Sequence, residues 1–324
     1  MKILFMGTPD FACPSLESLL EAGHELVGVV TRPDKPVGRG RKLTSPPVKK
    51  LAVARGLPLL QVPKVNAPES VETLRALGAE LVVVVAFGAI LRKPLLQLAP
   101  GGAVNVHASV LPAYRGVAPV QWGLIHGQRQ AGVTTMLMDE GVDTGPMLER
   151  RVVDVNPGET AGELLDRLSR MGGALLADTV SGLLDGTMKP VAQPEMGVSY
   201  APRLEREHGY LDLSRSAAEV VDQFRGVTPA PGARVFLGEE PVLVGAMRVV
   251  PDGSGEPYRV VEVASRHLRV AAAEGAVDLI QVRPAGKKDM EGAAFARGRG
   301  LQPGARLTPP PVTPDLGVAV AVPR

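Results

Sequence analysis

Residues 81–85 form an uninterrupted apolar run of one leucine and four valines. β-Branched residues favour strands, and a strand that is apolar on both faces has to be covered on both faces. Parallel sheets with helices on either side provide that cover. Strand-like and helix-like segments alternate before this run, beginning with a strand at 2–6 and a helix at 14–22. The sequence therefore predicts an α/β fold with a doubly wound, Rossmann-like sheet that is mostly parallel.

The character of the sequence changes near Lys189. Residues 190–206 contain prolines and a glycine in a pattern typical of a linker. Short apolar stretches then recur at about ten-residue spacing with Gly and Pro between them, which is typical of a small β-barrel. The predicted organisation is an α/β domain at 1–189, a linker at 190–206, a smaller barrel domain at 207–307 and a Pro-rich tail at 308–324. We expect the tail to be disordered or loosely attached.

Composition disfavours several kinds of site. The single cysteine, Cys13, cannot form a disulfide within the chain and has no thiolate partners for a zinc site. No cluster with metal-ligand spacing is present, so no metal is expected. The longest apolar run, at 81–90, is about half of a membrane span, and no N-terminal run resembles a signal peptide. We therefore expect a cytoplasmic protein that makes no membrane contact.

The turn after the first predicted strand reads Gly7-Thr8-Pro9-Asp10. It matches neither the GxGxxG dinucleotide fingerprint nor the GxxxxGK[ST] phosphate loop. A nicotinamide enzyme, which is the generic interpretation of a doubly wound domain, therefore loses its usual support.

Basic side chains are concentrated between Arg32 and Lys50, where seven Lys or Arg residues accompany one acidic residue, Asp34. Two prolines and two glycines in residues 31–42 predict a long exposed loop. A local positive patch is typical of a surface that binds a polyanion. Charge alone is equally compatible with a solvated surface loop.

Asn105 and His107 are two residues apart in a predicted strand at 103–107, so their side chains point to the same side. Ligands of open α/β sheets bind at the carboxyl ends of strands, where this pair would lie. An amide and an imidazole side by side can polarise a carbonyl, and Asp143, between Gly141 and Gly145, can bring a carboxylate to them. The alternative is that Asn105 caps a turn and His107 is a satisfied core histidine.

The motifs of residues 1–307 together resemble those of the methionyl-tRNA formyltransferases, which belong to the folate-dependent formyltransferases. Each motif is weak alone, and their order and spacing carry the resemblance. The Gly38-Arg39-Gly40 loop and the segment Ala285-Gly286-Lys287-Lys288 favour the tRNA-dependent member of the wider family. The other matching segments are 7–11, 85–88, 105–109, 111–112, 115–119 and 138–145.

The resemblance implies formyl transfer from 10-formyltetrahydrofolate to the α-amino group of initiator methionyl-tRNA. It also implies an OB-fold-like C-terminal barrel that holds the tRNA backbone, with no metal and no obligate protein partner. The implied catalytic residues are Asn105, His107 and Asp143. The implied folate-binding residues are Phe87, Gly88, Ile90, Leu91, Ser109, Val110, Leu111, Pro112, Asp139, Glu140 and Gly141. The implied tRNA-binding residues are Arg32, Arg39, Arg41, Lys42, Lys287 and Lys288.

Two other functions compete with this interpretation. Another folate-dependent formyltransferase, acting on a small amine such as a nucleotide sugar or a purine precursor, would share the catalytic residues without needing the basic loop or the paired lysines. A non-catalytic RNA-binding protein would use the loop and the barrel, but it would leave Asn105, His107 and Asp143 unexplained.

Overall fold

The computed structural model describes residues 1–37, 42–253, 255–317 and 319–320. In chain order, the described strands are β1 (Lys2–Gly7), β2 (Glu25–Thr31), β3 (Lys35–Val37), β4 (Lys42–Thr44), β5 (Leu59–Gln61), β6 (Leu81–Val85), β7 (Ala103–His107), β8 (Arg115–Gly116), β9 (Gln130–Leu137), β10 (Met147–Asp154), β11 (Ser199–Ala201), β12 (Arg234–Leu237), β13 (Glu240–Val250), β14 (Val260–Val263), β15 (Leu268–Ala271), β16 (Ala276–Pro284), β17 (Met290–Glu291) and β18 (Ala319–Val320). The described helices are α1 (Cys13–Glu21), α2 (Pro47–Ala54), α3 (Pro68–Arg75), α4 (Lys93–Leu96), α5 (Pro119–Ile125), α6 (Ala161–Leu184), α7 (Ala217–Gly226) and α8 (Gly292–Gly298), with short 3-10 helices at Asp10–Ala12 and Arg206–Gly209.

The N-terminal part is built on a seven-stranded sheet with the strand order β10-β9-β7-β6-β1-β2-β5. Five neighbouring strands of this sheet are parallel, namely β7, β6, β1, β2 and β5. At the other edge, β9 pairs antiparallel with β7, and β10 pairs antiparallel with β9. Ile3 and Phe5 of β1 pack into a core on one face, and Leu4 and Met6 pack into a core on the other. The predicted doubly wound, mostly parallel sheet is confirmed.

Helix α6 corrects one local prediction. The sequence predicts two helices here, the first ending near Met171 and the second beginning at Ala174, but α6 is one helix of 24 residues. Its glycine pair is a contact surface rather than a break. A β-carbon on Gly172 would lie 2.9 Å from Val106 Cγ1, and one on Gly173 would lie 2.7 Å from the carbonyl oxygen of Pro14. The two glycines therefore let α6 approach β7 and α1 closely.

Two short strands of the basic segment, β3 and β4, pair with each other. The prediction of one long loop is therefore wrong for the residues of these two strands. Strands β3 and β4 pair antiparallel, with Lys35 opposite Thr44. Asp34 anchors the base, because its carboxylate accepts hydrogen bonds from Lys49 Nζ at 2.9 Å and from Gln61 Nε2 at 2.7 Å. These two hydrogen bonds hold the pKa of Asp34 below its usual value.

The C-terminal part is an antiparallel sheet with the order β12-β13-β16-β15-β14, with β17 paired to β16. The sheet curls into a half-barrel, and the chain after α8 bridges its two edges. Val260 N donates to the carbonyl of Ala305 at 2.8 Å, and Thr308 N donates to the carbonyl of Phe236 at 2.9 Å. The predicted barrel-like second domain is confirmed.

Asp278 is a fully buried acid in this second sheet, at 0% exposure. Its neighbours across β13 and β15 are Arg248 and Arg269, whose Nε atoms donate to it at 2.9 and 2.8 Å. Burial raises the pKa of Asp278, but the hydrogen bonds from Arg269 and Arg248 outweigh burial and hold the pKa below its usual value. The three side chains tie together three neighbouring strands.

The two domains share a continuous core. Trp122 and Ile125 of α5 belong to the same buried cluster as Val220 and Phe224 of α7. Gly226 makes the close approach possible, because a β-carbon there would lie 2.6 Å from the carbonyl oxygen of Gln121. The second domain therefore packs on the helix that begins directly after residues 114–118.

The expectation of a loose C-terminal tail is wrong for residues 308–317. Pro314 is buried, and Leu316 packs against the core of the second domain. The carbonyl of Leu316 accepts a hydrogen bond from His126 Nε2 at 2.9 Å, and β18 pairs antiparallel with β11. A proline-rich segment loses little conformational entropy when it docks, and its composition does not reveal the surface that receives it.

Among the described helices, none combines the length and the apolar character that crossing a membrane would require.

Candidate active site

A cavity of about 780 Å³ opens at the carboxyl ends of β1, β6 and β7. The chain leads from β1 to β2 and β5 on one side of the sheet, and to β6 and β7 on the other. Open α/β sheets bind ligands where the strand order reverses in this way. The volume lies within the range of about 300–1,000 Å³ that is usual for small-molecule sites. The topology therefore places a ligand-sized cavity beside Asn105 and His107.

Asn105, His107 and Asp143 all line this cavity, and they converge on one another. Asn105 Nδ2 lies 3.5 Å from Asp143 Oδ1, and His107 Nδ1 lies 3.5 Å from Asp143 Oδ2. The alternation of side chains on β7 places the amide and the imidazole together, as predicted. The long distances leave the two donors weakly engaged with the carboxylate.

His107 has an oxygen acceptor near each ring nitrogen. Its Nε2 donates to the backbone carbonyl of Tyr114 at 2.9 Å, while Nδ1 faces Asp143. The side chain is 7% exposed, so water does not compete strongly for either nitrogen. Only a doubly protonated ring can donate on both sides at once. The arrangement is therefore suited to an imidazolium whose Nδ1 proton is directed toward Asp143.

Asp143 is held in a strained loop. Its φ is +52°, in the left-handed region that few residues other than glycine adopt readily. The backbone N–H of Gly116 donates to its Oδ2 at 2.8 Å. A β-carbon on Gly145 would lie 1.8 Å from the carbonyl oxygen of Leu137, so that position admits no side chain. Strain of this kind persists where the surroundings impose it, and it clusters at functional sites.

The loop that presents Asp143 is also organised by Asp139. Asp139 Oδ1 accepts hydrogen bonds from Gly141 N at 3.0 Å and from Thr144 Oγ1 at 2.6 Å. Both Asp139 and Gly141 line the cavity. Asp139 therefore stabilises the conformation of the loop by these two hydrogen bonds and also forms part of the cavity wall.

Comparison with known proteins identifies the family. The model of the formyl transferase family matches residues 1–180, and that of the formyl transferase C-terminal domain matches residues 203–300. The methionyl-tRNA formyltransferase of Trichlorobacter lovleyi is 44% identical over 312 residues, which cover 96% of this chain and 98% of the relative. The chain belongs to the methionyl-tRNA formyltransferase family. The enzyme of the same name from Pelobacter propionicus is 46% identical over 306 residues, covering 94% of this chain and 96% of the relative.

A solved structure shares the fold at much lower identity. It is the N-formyltransferase from Helicobacter canadensis, crystallised with folinic acid and dTDP-3-aminofucose, and it matches with a TM-score of 0.66. The sequences are 17% identical, and the match covers 86% of this chain and 99% of that chain. The two-domain architecture is therefore shared with a structure whose sequence has diverged widely.

The folate-binding residues that were predicted from the family resemblance fall into two groups. Six of them line the cavity: Phe87, Gly88, Ile90, Leu91, Asp139 and Gly141. The other five do not line it: Ser109, Val110, Leu111, Pro112 and Glu140. Leu111 is fully buried against Met136 and Met147, and the hydroxyl of Ser109 donates to the carbonyl of Ala113 at 2.6 Å. Residues 109–112 therefore support the chain behind the cavity.

The apolar wall at 86–91 is fixed by two side chains that the sequence did not single out. Thr8 Oγ1 donates to the carbonyl of Phe87 at 2.8 Å. Asn66 Nδ2 donates to the carbonyl of Ile90 at 2.8 Å, and its Oδ1 accepts from Arg92 N at 2.9 Å. Ile90 is 75% exposed, so these contacts hold a solvent-facing apolar surface in place.

Gln193 is the most important residue that sequence reasoning missed. Its Nε2 donates to the carbonyls of Asp143 and Gly145, both at 2.8 Å. Its Oε1 accepts from Arg115 Nε at 3.1 Å and from Arg115 Nη2 at 2.8 Å. One amide from the predicted linker thus clamps the Asp143 loop to the segment that carries Gly116. No local pattern marks this glutamine, because its partners are about 50 and 80 residues away in sequence.

The predicted tRNA-binding residues whose side chains the structure describes do not line the cavity. Arg32 is partly buried and donates to the carbonyl of Pro63 at 3.3 Å, while Lys287 and Lys288 are exposed on the turn between β16 and β17. Arg39 and Arg41 lie outside the described residues, as does the side chain of Lys42. Arg203, which was assigned to the linker, is a basic residue that does line the cavity.

Within the described ranges, no group of three or more His, Cys, Asp or Glu side chains is arranged to hold a metal ion.

Proposed function

We propose that this protein transfers the formyl group of 10-formyltetrahydrofolate to the α-amino group of initiator methionyl-tRNA, giving N-formylmethionyl-tRNA for translation initiation. The observation that carries the proposal is the convergence of Asn105, His107 and Asp143 within a folate-sized cavity. The family relationship over 96% of the chain supports the choice of acceptor. A role in protein synthesis implies a cytoplasmic location.

The apolar wall at 86–91 is suited to the flat ring of the folate. Phe87 and Leu91 line the cavity with little exposed surface and Ile90 is exposed, while Gly88 has no side chain to keep a ring from the backbone. The Helicobacter canadensis protein with the same fold was crystallised with folinic acid, which is a formylated tetrahydrofolate. We place the folate ring against this wall, with its formyl group directed toward Asn105.

The reaction begins with attack of the uncharged α-amine on the formyl carbon, which forms a C–N bond and a tetrahedral oxyanion. Asn105 Nδ2 and the Nδ1 proton of His107 donate to that oxyanion as its charge develops. Each donor of this kind contributes about 10²–10³ in rate. Their long contacts to Asp143 leave both of them free to shift toward substrate.

Collapse of the intermediate breaks the bond between the formyl carbon and folate N10, which leaves as tetrahydrofolate. The amine nitrogen must lose a proton and N10 must gain one. Asp143 directs the imidazolium, accepts the amine proton through a bound water, and returns that proton through the same water to N10 as the nitrogen leaves. Such proton transfer contributes about 10²–10⁴ in rate. No covalent intermediate with the protein is needed.

The acceptor would be selected outside the chemical centre. Strands β3 and β4 of the basic segment follow the carboxyl end of β2, and Lys287 and Lys288 are exposed on the second domain. Lysine and arginine contacts to phosphate supply most of the affinity of such surfaces for RNA. Residues 203–324 contain 16 basic and 15 acidic residues, so RNA binding there depends on local clusters.

The test is a comparison of acceptors with formyl-labelled 10-formyltetrahydrofolate. The acceptors are initiator methionyl-tRNA, the same tRNA without methionine, glycinamide ribonucleotide and an aminated nucleotide sugar. We expect label only on methionyl-tRNA, as an amide on its α-nitrogen. Label on a small amine instead would identify another formyltransferase. Absence of transfer to any acceptor, with retained tRNA binding, would support an RNA-binding protein.

A further inference from the structure

Residues 308–317, here called the strap, run from the second domain back to the first. At its start, the N–H of Thr308 donates to the carbonyl of Phe236 at 2.9 Å, and its Oγ1 accepts from Gly238 N at 2.7 Å. Near its end, the carbonyl of Leu316 accepts from His126 Nε2 at 2.9 Å. Pro314 is buried between these two points. The strap is therefore fixed at both ends, one in each domain.

His126 connects the strap to Tyr114. Because its Nε2 donates to Leu316, its Nδ1 accepts from the hydroxyl of Tyr114, at 3.3 Å. Burial lowers the pKa of His126, and Arg215 adds to this effect against the opposing hydrogen bond to Leu316. Burial also raises the pKa of Tyr114. A neutral imidazole and a protonated hydroxyl are the forms that this hydrogen-bond direction requires.

Ring contacts reinforce the connection. The rings of Tyr114 and His126 are stacked with centroids 5.9 Å apart, and those of Trp122 and His126 are stacked at 5.4 Å. Trp122 Nε1 donates in turn to the carbonyl of Pro202 at 2.8 Å. His126 is therefore held between two aromatic rings and the strap, which restricts it to one position.

Tyr114 makes the contact that reaches the active site. Its carbonyl accepts from His107 Nε2 at 2.9 Å, and its N–H donates to Ser199 Oγ at 2.9 Å. Its φ is +58°, which is costly for a bulky side chain and persists only where surrounding contacts impose it. The side chain held by His126 is thus attached to the strained backbone that orients His107.

We propose that the strap positions His107 through His126 and Tyr114, so that the C-terminal segment contributes to catalysis without touching substrate. The inference rests on the proposed function, since it assigns His126, Tyr114 and the strap to the orientation of its central imidazole. They are positioning residues: they fix the carbonyl that receives the Nε2 proton and thereby direct Nδ1 toward Asp143.

The test compares the wild-type protein with three test variants and one control. The test variants are a chain ending at Val312, Tyr114→Phe, and the combination of these two. The control is Val312→Ser. Residue Val312 is 56% exposed, so its substitution leaves the strap contacts intact. The shortened chain loses the acceptor at Leu316, and Tyr114→Phe loses only the hydroxyl. Each is expected to lower kcat about 2- to 10-fold, the value of one hydrogen bond, with KM for folate and for methionyl-tRNA unchanged.

The combined variant decides between positioning and general stabilisation. If the strap acts through Tyr114, the combined loss in kcat equals that of either single change, because coupled residues are not additive. Multiplied losses, or a shortened chain with wild-type kcat, would overturn the proposal. Restoration of kcat by lowering the temperature would also overturn it, since it would point to partial unfolding.

A second readout does not depend on activity. Amide hydrogen exchange of the peptide covering residues 110–117 is expected to be faster in the shortened chain and unchanged in Val312→Ser. Unchanged exchange in the shortened chain would contradict the coupling even if kcat fell. Conversely, if the wild-type protein formylated no methionyl-tRNA, the proposed function would fail, while exchange would still report whether the strap holds Tyr114.

Discussion

The replacement Asp143→Asn removes one charge from the centre of the site and little else. Asparagine has the same shape and is one of the few residues that tolerates the φ of +52° found there. One side-chain oxygen remains, and it can still accept the 2.8 Å hydrogen bond from Gly116 N. Because this oxygen occupies the Oδ2 position, which also faces His107 Nδ1, the amide nitrogen replaces Oδ1 and faces Asn105 Nδ2, 3.5 Å from the native carboxylate.

The neutral amide oxygen opposite His107 stabilises an imidazolium less than a carboxylate does and cannot receive a proton, and the amide nitrogen opposes the Asn105 donor. We therefore expect kcat to fall by about 10²–10⁴, the usual contribution of a general acid–base group. This loss corresponds to about 3–5 kcal/mol in activation free energy. The free energy of unfolding should change little, because the backbone conformation and the shape of the side chain are preserved.

The assay is single-turnover formylation with saturating enzyme, accompanied by thermal unfolding of each variant. Asp178→Asn is the matched control, since its carboxylate is 59% exposed and does not line the cavity. The control should retain wild-type turnover. An Asp143→Asn variant that keeps more than about a tenth of the wild-type kcat would refute the assigned role of Asp143, because acid–base assistance contributes at least about 10²-fold.

Three further predictions concern other residues. Gln193→Leu should lower kcat more than it raises KM, because the carbonyls of Asp143 and Gly145 lose their shared donor. An unchanged kcat in the same assay would show that the Asp143 loop keeps its conformation without Gln193. Asp278→Asn should destabilise the protein by about 1–3 kcal/mol at neutral pH. Since the pKa of Asp278 is lowered in the folded state, the stabilisation by its carboxylate is present above the unfolded carboxyl pKa of about 3.9 and is lost as the pH falls further. The difference in Tm between Asp278→Asn and the wild type should therefore shrink as the pH falls below this value. A constant difference in Tm would contradict a stabilising role for the charged carboxylate. Arg39→Ala should raise KM for methionyl-tRNA while the Kd of a folate analogue stays the same; parallel losses in both would indicate a structural role for the loop.

The features that could be predicted from the sequence are those with a local signature. The valines of β6 indicated a strand covered on both faces, and the two-residue spacing of Asn105 and His107 placed both side chains on one side. The glycines around Asp143 indicated a loop that could bring its carboxylate to this pair, and the structure shows why Gly145 is needed there. Each of these inferences required only neighbouring residues.

The features that were missed depend on distant partners. Gln193 lies in a segment whose prolines and glycine read as a linker, and its role exists only because Arg115 and the Asp143 loop meet there. The glycine pair of α6 predicts a helix break from sequence alone. In the structure these glycines instead allow Val106 and Pro14 to pack closely against the helix. Composition describes the flexibility of a free chain, and tertiary contacts can reverse that description.

The strap shows the same limit. Its prolines predict a segment without regular structure, which is correct for its backbone at 308–317, but not a segment that is loose. The acceptor at Leu316 is a backbone carbonyl and therefore carries no sequence signal. Its partner, His126, has a recognisable position at a helix end but no indication of which residue it contacts.

The most direct test of the account is a crystal structure of the protein with a stable 10-formyl analogue of folate. We predict that the ring lies against residues 86–91 and that the formyl oxygen lies within about 3.2 Å of Asn105 Nδ2, a normal hydrogen-bond distance, with His107 Nδ1 on the same oxygen. A formyl group bound elsewhere, with Asn105 and His107 still directed only at Asp143, would contradict the account.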